Sequence, residues 1–202
     1  MVDEAAIWRP LLSLILASVV VMGSPGPSTM SVTAIGAAFG PWRSVGYFSG
    51  LVLGTIAVLA AVAAGLVSIL LSMPRLAPVL LAVSAAYMIY LAFRIATAPP
   101  LSKRSDTISA PSFTAGFLLA IANPKAYVAI AAVFAGSTLA TDATLDAIFK
   151  TMVLALMIVA IHACWLLAGA SFSRLFYDPV SSRIANIVFA AALVVTTVFA
   201  FI

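Results

Sequence analysis

The chain has 202 residues, of which 64% are hydrophobic and 8% are charged, and its mean hydropathy is +1.22. Soluble domains carry about 25% charged residues, so this composition excludes a soluble globular domain and indicates a membrane protein. The formal net charge of +4 comes from scattered basic residues that form no stripe, so we expect no nucleic-acid partner.

Apolar segments follow one another along the chain, and each is close to the ~20 residues with which a helix crosses a bilayer. They cover approximately 8–40, 46–71, 76–96, 113–136, 146–171 and 182–202. These runs are too long for the strands of a membrane barrel. We therefore predict an all-α polytopic membrane protein with six transmembrane helices. Because Asp3 and Glu4 replace the basic start of a signal peptide, the first segment is predicted to be a retained span.

The polar connection 97–112 divides the single transmembrane domain, 1–202, into repeat 1 (about 7–96) and repeat 2 (about 113–202). A three-span unit crosses the membrane an odd number of times, so the second copy is expected to be inverted, as in many secondary transporters. Six Lys and Arg residues fall on one side of this arrangement and three on the other. This asymmetry favours both termini outside.

The first segment is interrupted by Ser24-Pro25-Gly26-Pro27-Ser28. Proline lacks an amide hydrogen and clashes with the preceding turn, so one helix should end here and another begin. Either Ser24 caps the new helix with Pro25 in its first position, or Ser28 is the cap. Both arrangements direct a helix N-terminus towards Gly26, which suits an anion. A kink that only shapes packing, or a loop between two membrane-dipping half-helices, is the alternative.

The fourth segment is interrupted by Asn123-Pro124-Lys125. Asn123 is predicted to cap a second half-helix that begins at Pro124. A lysine at the bilayer centre costs about 2.5–3.5 kcal/mol on insertion scales, so the Lys125 ammonium should face a partner or a wet cavity. The candidate partners are carbonyls at the end of the preceding half-helix and a substrate carboxylate. Snorkelling to the membrane interface is the alternative.

Matching breaks in two halves are a pointer to the binding site of a transporter, because broken helices are tolerated only inside protein or beside a cavity. We therefore predict that residues of both breaks bind substrate, namely Pro25, Gly26, Pro27, Ser28, Asn123, Pro124 and Lys125.

Four glycines recur at or near multiples of four residues across the first two spans: Gly36, Gly40, Gly50 and Gly54. Small residues at this spacing let helices approach closely. The predicted role is helix packing, either within the chain or at the seam of a possible homodimer.

Other polar residues are fewer. His162 lies in the middle of the fifth span, where it either carries a proton or is a neutral side chain bonded to a neighbouring helix. Cys164 is expected to be a small apolar packing residue. Asp142 and Asp146 either gate an opening or belong to a solvated helix start.

The sequence predicts neither metal, cofactor nor catalysis. A single cysteine and a single histidine do not make a metal site. The chain has no HExxH or GxSxG motif and no paired intramembrane carboxylates, so an enzyme is not expected.

The run Ser24–Thr29, followed by the four glycines, resembles the N-terminal signature of the lysine-exporter superfamily, and Asn123-Pro124-Lys125-Ala126 resembles its second signature. The resemblance extends over essentially the whole chain in length, span number and motif order. It implies a bacterial inner-membrane exporter of amino acids or related small carboxylate metabolites. Ser28 replaces the asparagine that is frequent in the family, and 133–137 lacks the usual Pro-Gln, so the substrate stays open.

Two other functions remain open from the sequence. Some related proteins handle cadmium, but a central lysine without an acidic cage disfavours a metal-cation exporter, since hard cations take several oxygen ligands. A membrane assembly subunit without transport activity would not need Lys125 at mid-span. The expected partners are therefore a small-molecule substrate and the lipid bilayer.

Overall fold

The computed structural model of the chain describes residues 4–65, 76–97, 110–171 and 178–201. Within these ranges every regular element is helical, as the long apolar runs predict. The all-α fold class is thus confirmed for the described residues.

The helices are numbered in chain order. They are α1 (Glu4–Ala17), which continues into a π-helical turn (Ser18–Met22), α2 (Pro27–Arg43), α3 (Val45–Ala63), α4 (Leu76–Ala96), α5 (Phe113–Ala122), α6 (Pro124–Ala135), α7 (Ala143–Ser171) and α8 (Pro179–Phe201).

Two of the described helices, α3 and α7, are each long and apolar enough to cross a membrane. The segment Trp8–Met22 meets α2 at a bend of 70°, and α5 meets α6 at a bend of 63°. If each bent pair is one span, up to four spans are described. Both bends fall at the predicted breaks, whereas the six-span inverted repeat stays a prediction.

The second predicted span, 46–71, extends beyond the end of helix α3. It was expected to reach residue 71, but α3 ends at Ala63. Gly65 follows with φ of +71°, and its N–H donates to the Val62 carbonyl at 2.9 Å. A left-handed glycine is a frequent helix terminator, and hydropathy alone does not reveal it. Residues 66–71, like 98–109 of the predicted connection, lie outside the described residues.

Glycines bring α3 and α5 into close contact. A Cβ atom on Gly50 would overlap the backbone carbonyl of Phe113, and one on Gly54 would lie 2.8 Å from the carbonyl oxygen of Phe117. Only glycine allows backbones to approach so closely. Gly50 and Gly54 therefore pack helices within the chain.

The contact between α2 and α7 depends on glycines in the same way. A Cβ on Gly36 would lie 2.9 Å from Cδ1 of Leu166, and one on Gly169 would overlap the backbone of Thr33. Gly36 thus lies at a close helix contact within the chain.

Gly40 differs from the other three glycines. Among the residues that the structure describes, none has an atom within 4 Å of a Cβ built at this position, so its predicted packing role stays a prediction. Its φ is +76°, and it interrupts α2 immediately before Pro41. Gly40 is required for backbone conformation, because a left-handed φ is costly for residues with a side chain.

The described residues place apolar side chains outside and several polar ones inside. Val20, Trp42, Val128 and Leu156 are among the many large apolar residues that are exposed, whereas buried polar residues include Ser28, Thr29, Asn123 and His162. An exterior of this kind suits lipid as the solvent. Three of these buried polar residues, Ser28, Thr29 and Asn123, lie at the two helix breaks.

Candidate functional site

The two helix breaks are in direct contact. Asn123 Nδ2 donates to Ser28 Oγ at 2.8 Å. The Lys125 ammonium donates to the carbonyl oxygens of Ser24 at 2.9 Å and Pro25 at 2.8 Å, and to Ser24 Oγ at 2.7 Å. Residues about a hundred positions apart thereby form one hydrogen-bonded cluster.

Helix α2 begins with a cap that the sequence prediction missed. Its N-cap is Gly26, in extended conformation with Pro27 in the first helical position, and neither Ser24 nor Ser28 caps it. Thr29 Oγ1 instead accepts a hydrogen bond from the Gly26 N–H at 2.8 Å. The threonine three residues beyond the cap satisfies the backbone, which leaves both serine hydroxyls for contacts with the second break.

Helix α6 begins as predicted. Asn123 is its N-cap and Pro124 its first residue. Asn123 Oδ1 accepts a hydrogen bond from the backbone N–H of Lys125 at 3.1 Å. The amide of Asn123 thus caps its own helix with the oxygen and holds the first break with the nitrogen.

The ammonium of Lys125 turns inward and does not snorkel. Its partners are carbonyls of the first break, so the expectation that they belong to the preceding half-helix of its own span is wrong. An ammonium group has three donors, and three hydrogen bonds to Ser24 and Pro25 use them all. The half-buried cation is therefore stabilised by backbone and hydroxyl oxygens of the first break.

Gly26 makes room for this lysine. A Cβ atom at Gly26 would lie 2.7 Å from Cδ and 2.8 Å from Nζ of Lys125. The backbone of Gly26 has φ of −170°, an extended conformation that any residue adopts. The requirement for glycine at this position thus comes from the close approach of Lys125.

A small cavity lies beside the cluster and has a volume of about 40 Å³, enough for a few water molecules. Both α2 and α6 begin at this cavity. The first-turn amides of Ser28 and Thr29 have no partner within their helix, and two helix N-termini favour an anion. The cavity is lined by Met22, Ser24, Gly26, Ser28, Thr29, Thr55, Asn123, Lys125, Ala126, Ala129, Ile130, Ile158, Ile161 and His162.

His162 reaches the same cavity from α7. The residue is 5% exposed, and its Nδ1 lies 2.7 Å from the carbonyl oxygen of Ile158 in its own helix. The prediction of a bond to a neighbouring helix is therefore wrong. Among the side chains that the structure describes, Nε2 of His162 is one of two buried polar atoms without a hydrogen-bond partner.

Comparison with known proteins decides the family. Residues 19–202 match the family model described as LysE type translocator. The chain belongs to the LysE type translocator family. It is 31% identical over 175 residues to the cysteine/O-acetylserine efflux proteins of Escherichia coli (strain K12), Shigella flexneri and Shigella sonnei (strain Ss046), covering 85% of this chain and 87% of each relative. No solved structure matches the chain.

This family match confirms the resemblance inferred from the two motifs. The residues of the two motifs lie close together in the structure of this LysE-family chain, because the break at 24–28 contacts the break at 123–125. Together with the apolar helices, the match supports a multi-pass membrane translocator.

Sequence reasoning missed three residues at the site. Thr29 caps α2, and a threonine three positions after a candidate cap is a recognisable signal. Trp165 Nε1 donates to the carbonyl oxygen of Gly23 at 3.0 Å, and its position three residues after His162 on one helix face was the available signal. Thr55 lines the cavity, and a lone hydroxyl in an apolar helix gives little warning.

The described residues contain no group of three or more His, Cys, Asp or Glu side chains that could hold a metal ion. Cys164 is exposed on α7, so the expectation that it packs inside is wrong. The buried His162 and the exposed Cys164 do not form a common site.

A separate ion pair joins α7 to the end of α6. Lys150 Nζ lies 2.7 Å from Asp146 Oδ2 and donates to the Phe134 carbonyl at 2.9 Å. Asp146 is 9% exposed, so the solvated helix start that was one of its two expected roles is wrong. That role belongs to the exposed Asp142, whose carboxylate accepts hydrogen bonds from the first turn of α7.

Proposed function

We propose that this LysE-family chain is a secondary transporter that exports an amino acid, or a related small carboxylate metabolite, across the bacterial inner membrane. One observation carries the proposal: the N-terminus of α2 and the Lys125 ammonium, at the start of α6, meet at one cavity. Amide N–H groups at helix starts and an ammonium are the donors that bind a carboxylate.

The carboxylate binds by exchange of partners. Lys125 gives its hydrogen bonds to Ser24 and Pro25 in this conformation, and a substrate carboxylate competes for the same donors. A buried charge is costly when it is unpaired. When the substrate carboxylate replaces Ser24 and Pro25 directly, the ammonium has a hydrogen-bond partner at every stage. If these bonds broke before substrate arrived, the ammonium would be left unpaired.

The conformation described here is closed around the site. A cavity of about 40 Å³ holds water but no amino acid. Substrate entry therefore requires the elements around the breaks to move apart. Rocking of one repeat against the other, which exposes the site to one side at a time, supplies that movement.

The cavity favours a small neutral amino acid. Among the described residues that line it none is acidic, and its walls include Met22, Ala129, Ile130 and Ile161. A basic substrate would bring a second cation to Lys125 without a counter-charge. The relatives named for cysteine and O-acetylserine efflux handle substrates of the favoured kind, so we place this chain's substrates in that class.

The proposed architecture is one transmembrane domain of two inverted repeats, with both termini outside. Its support is the similar bends of 70° and 63° at corresponding places in the two halves and the bias in Lys and Arg. Gly36, Gly50 and Gly54 make their close contacts within the chain, so the transport path is assigned to a single chain without a homodimer seam at these glycines.

Neither alternative function gains a specific observation. An ammonium and two helix N-termini repel a metal cation, and the part of the lining that the structure describes offers no carboxylate to hold one. A membrane assembly subunit has no use for a lysine held beside a closed cavity.

The decisive experiment is counterflow in proteoliposomes with labelled cysteine and O-acetylserine, with lysine and Cd²⁺ as competing classes. Wild-type protein should exchange the neutral amino acids, and Lys125→Met should lose at least about tenfold in rate, the scale of one hydrogen bond to a charged group. Gly46→Ala serves as the matched control, because the nearest atom to its new Cβ is 4.0 Å away. Unchanged flux in Lys125→Met would sink the carboxylate mechanism, and flux of Cd²⁺ alone would favour the metal exporter.

A further inference from the structure

The polar side chains around the cavity are nearly all satisfied by the protein itself. Lys125 uses its three donors on the first break. Asn123 uses both ends of its amide. The hydroxyls of Thr29 and Thr55 bond to backbone groups of their own helices.

Nε2 of His162 is the exception among the described residues that line the cavity. Nδ1 faces the carbonyl oxygen of Ile158 at 2.7 Å, and a carbonyl only accepts. Nδ1 therefore carries the hydrogen, which assigns the tautomer from the hydrogen-bond network. In this neutral imidazole Nε2 is a lone-pair acceptor, held in place by the bond on the other side of the ring.

The donor groups at the cavity are the first-turn amides of α2 and the Lys125 ammonium, which exchanges its present partners for the substrate. His162, on α7, lines the same cavity and carries the acceptor. A free amino acid has the complementary pair, a carboxylate and an ammonium on the same carbon. Its ammonium would otherwise be buried beside Lys125 without an acidic partner, which is costly.

We propose that His162 Nε2 accepts a hydrogen bond from the α-ammonium group of the substrate. This inference rests on the proposed export function and extends it: the site recognises both ends of a zwitterion and discriminates against carboxylates that lack the amine. A site built to bond a substrate N–H rejects the analogue without it, because its own buried polar atom is then left unpaired.

The test compares cysteine with 3-mercaptopropionate, which is the same molecule without the α-amine. Binding of each is measured by thermal-shift titration of the purified wild-type protein and of His162→Leu and His162→Gln. Wild type should bind cysteine at least about tenfold more tightly. In His162→Leu the ratio should fall to about one, with the affinity for 3-mercaptopropionate within about twofold of wild type, since only the ammonium loses a partner.

His162→Gln keeps an acceptor of similar reach and should retain most of the preference for cysteine. This variant also covers the case in which leucine prevents folding, because loss of the preference in a folded His162→Gln protein counts against the inference. An unchanged ratio in His162→Leu overturns it. If His162→Leu keeps the preference for cysteine but its transport is no longer stimulated by a pH gradient, the inference is also overturned. Nε2 is then assigned to binding a proton.

Failure of the export proposal has a different signature. If wild type binds neither compound, the substrate class is wrong and both proposals fall. If wild type binds both compounds and Lys125→Met binds neither, the carboxylate site stands, and the ratio in His162→Leu alone decides the role of Nε2.

Discussion

Asn123 holds Ser28 across the two helix breaks while it caps its own helix. Its Nδ2 lies 2.8 Å from Ser28 Oγ, and its Oδ1 accepts from the Lys125 N–H at 3.1 Å. Both side chains are buried. One amide therefore determines where α6 begins and which segment of the other half it contacts.

This relationship predicts a measurable coupling. Ser28→Ala leaves a buried donor unpaired and should cost about 1–3 kcal/mol of unfolding free energy. Asn123→Ala should cost about 1 kcal/mol more, because it also removes a helix cap. Denaturation in detergent measures each variant and the double variant. The double variant should lose clearly less than the sum, whereas additive losses would show that the two side chains do not interact.

Gly26→Ala should impair transport without preventing insertion. The new methyl group takes the space of Lys125 Cδ and Nζ, so the ammonium must leave the carbonyls of Ser24 and Pro25. The displaced ammonium is then no longer in place to bind the substrate carboxylate, and loss of this charged hydrogen bond predicts at least about a tenfold lower substrate affinity. Binding titration of purified protein measures it.

The control for that prediction is a variant in which the lysine is also shortened. Gly26→Ala combined with Lys125→Ala removes the steric conflict, so its melting temperature should recover although its substrate affinity does not. A Gly26→Ala protein that binds substrate like wild type would show that Lys125 does not need its present position.

Two glycines of α3 should respond oppositely to the same substitution. Gly50→Ala drives a methyl group into the backbone of Phe113 and should destabilise the protein by about 1–3 kcal/mol, the cost of overpacking. Gly46→Ala meets nothing closer than 4.0 Å and should stabilise it slightly, by up to about 1 kcal/mol of helix propensity. Thermal unfolding of the two variants checks the sign, and equal effects would contradict the close α3–α5 contact.

The ion pair on α7 should contribute to stability. Lys150→Met leaves the carboxylate of Asp146 with only the backbone N–H groups of Leu139 and Ala140. The expected loss is on the order of 2 kcal/mol, between the values of exposed and fully buried pairs. Adding Asp146→Asn should recover part of this loss in thermal unfolding. No recovery would mean that lost packing of the lysine stem, rather than an unpaired charge, causes the effect.

The sequence predicted what depends on local chemistry. The two bends and the Asn123 cap follow from proline and asparagine, whose preferences act over a few residues. The sequence did not predict the hydrogen-bond partners of Lys125, because they lie about a hundred positions away in the chain.

Likewise, the spacing of residues indicates which of them share a helix face, but it does not identify the helix that packs against that face. Gly40 and Gly50 belong to one pattern in the sequence, yet a Cβ on Gly50 would meet α5, whereas one on Gly40 would meet no described atom within 4 Å. The cap of α2 was missed because Gly26 and Thr29 satisfy each other, whereas a serine was the stronger candidate by residue type alone.

The lysine at the second break has a consequence for energy coupling. The same ammonium joins the two halves of the chain through Ser24 and Pro25 and is assigned to the substrate carboxylate. In such an exporter, the Lys125 hydrogen bonds between the two halves break only when a substrate carboxylate pairs with the ammonium instead. In the proposed mechanism, cycling without substrate would leave this ammonium unpaired, and the cost of an unpaired charge opposes it.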